Sequence, residues 1–276
     1  MRARGTSNSR RDIDLKLFGI TVSESVRTKD WGFTKAALPR FHNGGGESGM
    51  LICHGFGGSP ANMRCLYERA VEMGFTVAVP LLTGHAKTFA DMEHSGYMDW
   101  RNDVDEAFSR LIDADCKRVS LCGLSMGALL MCDLAERKGS DRIAAQMLIC
   151  PPVRMVHSLN ISSRIAPIIP YVQTKDAFPS PDMEMYCGMA TRKLADIRKL
   201  SESIMANPVS PHIRTLLIQA GRDNRVAPVT YSMLKKHIPH SEYIYMKEAP
   251  HGIPYSDSAD ELCGIFEDYF KTEVRQ

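Results

Sequence analysis

The chain has 276 residues, and 34 Lys and Arg against 32 Asp and Glu leave a formal net charge of +2, too balanced for a surface that tracks nucleic-acid phosphates. Apolar residues at 44% and charged residues at 24% match ordinary globular usage and exclude disordered or collagen-like classes. No apolar run approaches the roughly 18 residues that span a bilayer, and the best candidate, 165–172, is interrupted by Pro167 and Pro170.

In chain order, residues 1–16 are rich in Arg and Ser but lack the apolar stretch of a secretory signal. Residues 1–47 therefore read as a leader, partly flexible, and the glycine-rich 42–49 as a flexible connection. From there short apolar runs alternate with segments of helical period. Strands are expected at 50–53, 76–80, 118–122, 145–150, 215–219 and 242–246, and helices at 62–73, 99–114, 126–138, 228–237 and 259–270. That alternation is the pattern of an α/β chain, a mostly parallel central sheet flanked by helices. Asp99 is expected to cap its helix and Gly139 to stop another. The core should comprise 48–150 and 214–276. Residues 151–213, proline-bearing, rich in Met and Ile and weaker in periodicity, are expected to form an inserted apolar cover over a pocket; the alternative is that they extend the core.

Eight scattered cysteines, several inside apolar runs and none in a CxxC pair, read as small buried hydrophobes in a reducing compartment rather than a disulfide framework or a zinc site. With no export signal, this supports a cytoplasmic location.

Four segments carry chemistry. Gly123-Leu124-Ser125-Met126-Gly127 lies between an apolar strand and a helix, and a serine at such a sharp turn needs small neighbours and faces the positive end of the helix. His54-Gly55-Phe56-Gly57-Gly58-Ser59-Pro60 follows the first core strand, and its glycines allow backbone N–H groups to converge as an oxyanion hole needs, with Phe56 and Met126 as donors. A phosphate-cradling loop is the competing reading, but neither G-K-[ST] nor G-x-G-x-x-G spacing is present. His54 itself is expected to stabilise the loop. A serine hydroxyl needs an imidazole held in one tautomer by a carboxylate. Asp223 and His251 each follow a strand's carboxyl end, which sends both toward Ser125. Singly, Asp223 could be a solvated turn carboxylate and His251 a surface histidine; the shared register of all four segments favours a triad. His157, His212, His237 and His240 compete poorly, and His85, which could line an entrance, is expected to hold a loop.

On these segments the chain, from about residue 50 to 270, resembles the α/β-hydrolase superfamily, and within it bacterial carboxylesterases and monoacylglycerol lipases. The stretches 81–85 and 94–100 add to the likeness, while Ala128 stands where a third glycine is common. The resemblance implies an α/β-hydrolase fold with Ser125 as nucleophile, Asp223 as acid, His251 as base and Phe56 and Met126 as oxyanion amides. It places residues 151–213 where that family carries a cap. The implied activity is hydrolysis of short- to medium-chain acyl esters or monoacylglycerols through an acyl-enzyme. No metal or other cofactor, no nucleic acid and no stable membrane insertion are expected, and the partner is a small-molecule acyl ester. The alternatives are a thioesterase or other acyl or carbon–carbon bond hydrolase of the same fold, or a low-turnover receptor-like member.

Overall fold

A run of apolar residues with no polar alternation fits a strand covered on both faces, and β2 (Ser48–Cys53) is buried along its whole length. Met50 and Ile52 pack into one apolar core and Leu51 and Cys53 into the other, so the sheet separates two cores. The computed structural model describes residues 27–159, 171–173, 183–206 and 212–274. The leader reading for residues 1–26, and the apolar-cover reading where it falls on 160–170, 174–182 and 207–211, lie outside the described residues.

The other strands of this sheet are β1 (Arg40–His42), β3 (Thr76–Val79), β4 (Arg118–Leu124), β5 (Ile143–Ile149), β8 (Arg214–Arg222) and β9 (Glu242–Pro250). Their order is β1-β3-β2-β4-β5-β8-β9, parallel except for β1, which runs antiparallel to β3. The six expected strands are all present. Sequence reading does not find β1, because its three half-buried residues form no apolar run. Residues 42–49 accordingly do more than connect: Gly44 N–H donates to Thr76 Oγ1 at 3.0 Å, and Ser48 and Gly49 already belong to β2.

One face is covered by α3 (Tyr97–Asp113) and α4 (Met126–Lys138) through residues such as Trp100, Val104, Leu129 and Leu130. The other is covered by α1 (Arg64–Glu72) and α7 (Ala259–Phe270) through Leu66, Leu262, Phe266 and Phe270. Helices α2 (Phe89–Glu93) and α6 (Val229–His237) complete the flanks. Gly139 ends α4 at φ 73°, as expected. Asp99 does not sit at the cap position: the helix starts at Tyr97 after Gly96, and Asp99, three residues on, accepts the Gly96 N–H at 2.8 Å. It still satisfies a backbone donor that the helix leaves open.

Between β5 and β8 the described chain forms a two-stranded antiparallel unit of β6 (Tyr171–Gln173) and β7 (Gly188–Ala190), then α5 (Leu194–Ala206). Leu194, Ile197, Leu200 and Ile204 recur at helical spacing and enter the same core as α3 and α4. This stretch is thus more regular than its sequence suggested.

The chain leaves β2 for β3 on one side and returns to β4 on the other. The loops after β2 and β4 therefore diverge and open a crevice at the carboxyl edge of the sheet, where doubly wound folds bind ligands.

Candidate active site

Ser125 closes β4 at φ 56° and ψ −121°, a backbone conformation that L-residues rarely adopt. Three contacts hold it there: its N–H donates to Ile149 O at 2.7 Å, and its carbonyl accepts from the N–H groups of Ala128 and Leu129. The flanking glycines are required by close approach. A Cβ on Gly127 would stand 2.4 Å from Cys53 O, and one on Gly123 would stand 2.4 Å from Gly127 O. The turn thus needs the small residues that the motif supplies. Met126 opens α4, so its N–H has no carbonyl to meet inside the helix.

The loop after β2 lies against this turn: a Cβ on Gly55 would be 3.2 Å from Ser125 Cβ. Gly57 at φ 75° and the bond from Gly58 N–H to Gly55 O, 3.1 Å, curl the loop. His54 is fully buried beneath it, with Nδ1 2.9 Å from Gly55 O and Nε2 accepting the Leu82 N–H at 3.1 Å, which fixes the Nδ1–H tautomer. Burial pulls its pKa down to about 4 despite the bond to Gly55. It acts as the loop anchor expected, with no free nitrogen for a reacting group. His85 lines no entrance: it is buried beside His54, Phe56 and Trp100, with Nδ1 3.3 Å from Thr83 O.

The lowered pKa of His54 has a consequence for stability. An unfolded histidine protonates near its ordinary 6.5 and the folded one only near 4, so between these values the unfolded state holds more protons and stability is lost as the pH is lowered. This group alone should cost about 3 kcal/mol on acidification from about pH 7 to about pH 4. Urea unfolding should show His54→Gln less stable than wild type at neutral pH but losing less on acidification. Equal losses in the two proteins would reject this coupling.

Asp223 follows β8 and His251 follows β9, as their places in the sequence required. Asp223 Oδ2 lies 2.8 Å from His251 Nδ1, and Oδ1 accepts the N–H groups of Arg225 at 2.8 Å and Val226 at 2.9 Å. Burial would raise the pKa of this carboxyl. The hydrogen bond to His251, the imidazole charge and the two backbone donors outweigh it and hold the group below the usual aspartate value. Ser125, His251 and Phe56 line one cavity, together with Met155, Leu159, Met185, Met189, Leu194 and Ile197. All five predicted side chains or amides therefore gather at one edge of the sheet: Ser125, Phe56 and His251 at the cavity, Asp223 behind the histidine, Met126 next to the serine.

Several participants were not readable in the sequence. Tyr186 N–H donates to Gly57 O at 2.7 Å, its hydroxyl donates to Gly84 O at 2.8 Å, and Ser59 Oγ donates to Glu184 O at 2.6 Å. Glu184 in turn accepts from the N–H and the hydroxyl of Thr34. The inserted stretch and residues near Thr34 thus grip the loop after β2, through pairings with no local signature. Cys150, at φ 47°, places its sulfur beside Asp223 and His251, the three ligand atoms lying within 4.8 Å of one another. Burial first, and then the Asp223 charge, push its thiol far up, so it presents S–H rather than the thiolate a cation would need. None of the eight cysteines is in a disulfide, and seven are buried, in keeping with their reading as small hydrophobes.

A sequence profile described as the alpha/beta hydrolase family matches residues 50–265. The chain is similar to a thermostable monoacylglycerol lipase of Bacillus sp. (strain H-257), 40% identical over 96 residues, 35% of this chain and 38% of the relative. It is also similar to a carboxylesterase of Bacillus subtilis (strain 168), 32% identical over 85 residues, 31% of this chain and 35% of the relative. These matches span little more than a third of either relative's length. Among solved structures, one from work on LipS and LipT, two metagenome-derived lipolytic enzymes, shares the fold at a TM-score of 0.75 and 24% identity, covering 86% of this chain and 98% of that one. No described helix is long and apolar enough to cross a membrane.

Proposed function

The chain belongs to the alpha/beta hydrolase family, and on that premise we propose that it is a serine hydrolase of carboxylic esters, acting on short- to medium-chain acyl esters or monoacylglycerols. The observation that carries this reading is the strained Ser125 sharing one apolar cavity with His251, whose far nitrogen is bonded to Asp223.

In the proposed mechanism His251 Nε2 takes the Ser125 proton as Oγ attacks the ester carbonyl. Asp223 holds the Nδ1–H tautomer and stabilises the imidazolium that forms. The N–H groups of Phe56 and Met126 receive the oxyanion. His251 then gives its proton to the departing alcohol oxygen, and a water activated by the same imidazole releases the acid. Residues 151–213 serve as the cap: Met155, Leu159, Met185, Met189, Leu194 and Ile197 all come from it and offer an adaptable apolar wall to the acyl chain. Eight cysteines outside any disulfide fit work in a reducing compartment such as the cytoplasm.

A series of p-nitrophenyl esters tests the reading. Turnover should peak at short to medium acyl lengths and fall by about tenfold or more for palmitate, since the cavity bounds the chain it can bury. If no ester of any length is cleaved faster than by the Ser125→Ala protein, the assignment is wrong.

A further inference from the structure

The cavity that Ser125 shares with His251 adjoins a second, wider one on the other side of a common wall. Met185, Arg225, His251 and Tyr255 line both, and Asn224 and Ser256 line only the second. In the mechanism above, the alcohol must depart beside His251, because that imidazole protonates its oxygen. The apolar wall of the first chamber suits the acyl chain, so the second is left for the alcohol. This assignment rests on the ester-hydrolase reading.

The charge of the second chamber is one-sided. Among the described residues, Arg225 is the one Lys, Arg, Asp or Glu lining either chamber. It is exposed, and among the described residues no carboxylate forms an ion pair with it, whereas the neighbouring Arg222 is paired with Glu248. Asp223 is already engaged, Oδ1 by backbone N–H groups and Oδ2 by His251. Asp257 lies in an adjoining pocket that shares Met183, Tyr255 and Ser256 with the second chamber and also holds Arg64, and it lines neither chamber itself. The guanidinium lies close enough to the Tyr255 phenol for its charge to offset part of the rise that burial imposes there. Arg225 and Tyr255 both belong to the wall that the two chambers share.

We propose that this second chamber is the leaving-group subsite and that Arg225 makes it select acyl esters whose alcohol carries an anion, a phosphate or a carboxylate, over neutral alcohols. A guanidinium offers paired donors to either anion, and such charge-assisted bonds are stronger than those a neutral hydroxyl can make. The anion is a handle only: the acyl–oxygen bond breaks, the His251 proton goes to the alcohol oxygen, water supplies the acid's hydroxyl, and the phosphate or carboxylate leaves unchanged on the alcohol.

The test compares three esters of one acyl chain: 1-octanoylglycerol, 1-octanoylglycerol 3-phosphate and the octanoyl ester of glyceric acid. Rates are normalised to active sites titrated with a fluorophosphonate. For the wild type at low salt, kcat/KM should favour at least one anionic ester over the neutral one by about fivefold or more, and the ratio should shrink as salt rises. In Arg225→Gln the ratio should fall to about one, with Arg225→Lys in between. A wild-type ratio near one, or a ratio that Arg225→Gln leaves unchanged, overturns the inference while the hydrolase reading stands. If the wild type cleaves none of the three esters or the p-nitrophenyl series, both fall. The salt dependence is read on the wild type, so poor folding of a variant does not blunt the test.

Discussion

Ser125→Ala should lower kcat on a p-nitrophenyl ester by about 10⁶-fold, with the thermal midpoint close to that of the wild type. The hydroxyl is the only group removed, and the backbone that presents it is held by bonds the substitution leaves intact: Ser125 N–H to Ile149 O, and the Ala128 and Leu129 N–H groups to the Ser125 carbonyl. Alanine must adopt the same φ of 56° under the same restraint. Residual turnover would come from the cavity and the backbone donors polarising the carbonyl toward water, which are expected to survive at about 10³-fold over the uncatalysed rate. Because nucleophile and base act as one unit, His251→Ala should cost about as much, and the double variant little more than either alone. Stopped assays on freshly purified protein, with fluorophosphonate labelling as the second readout, check this. A loss of less than about tenfold on Ser125→Ala would move the nucleophile elsewhere.

The sequence discloses most of what positions this site because the burial that forms it is continuous and local. β2 is buried throughout and β4 from its second residue on, both with mostly apolar sequence, α4 and α7 have the expected bounds, and the strand ends that carry Ser125, Asp223 and His251 follow from them. Its silence has physical causes too. β1 is an edge strand whose side chains are only half-buried, so nothing apolar marks it. The sequence does not mark the start of α3, because Asp99 satisfies the Gly96 N–H from inside the helix, a role its residue type shares with the cap position. β9 runs on to Pro250 past its apolar segment, and the sequence does not mark the extension because Lys247 and Glu248 in it are exposed and charged. The hold of Tyr186 on Gly57 pairs one backbone N–H with one backbone carbonyl across the fold, and backbone groups are the same at every position. Arg225 shows the same limit: one arginine in a turn of charged residues gains meaning only from the walls around it.

Asp223→Asn should reduce kcat by about 10⁴-fold with a small change in KM. The amide oxygen of asparagine can keep the place of Oδ1, accepting from Arg225 and Val226, so the turn after β8 should persist. What changes is the atom facing His251. Oδ2 accepts the Nδ1–H at 2.8 Å, whereas an amide NH₂ at that place is a donor and favours the imidazole tautomer that carries its proton on Nε2. A proton on Nε2 leaves no lone pair for the Ser125 hydroxyl, and the base is lost although its ring has not moved. Stability supplies an independent sign. Because the folded carboxyl sits below its ordinary value, ionised Asp223 contributes stability that is present above the unfolded value of about 3.9 and is lost as pH falls through the folded one. The asparagine variant lacks that term, so its unfolding midpoint should decline less than the wild type's over the acid limb. Asp223→Glu, which keeps charge but lengthens the side chain, should recover part of kcat if charge dominates and little if the 2.8 Å contact does. Wild-type turnover in Asp223→Asn would assign the orienting role to a different group.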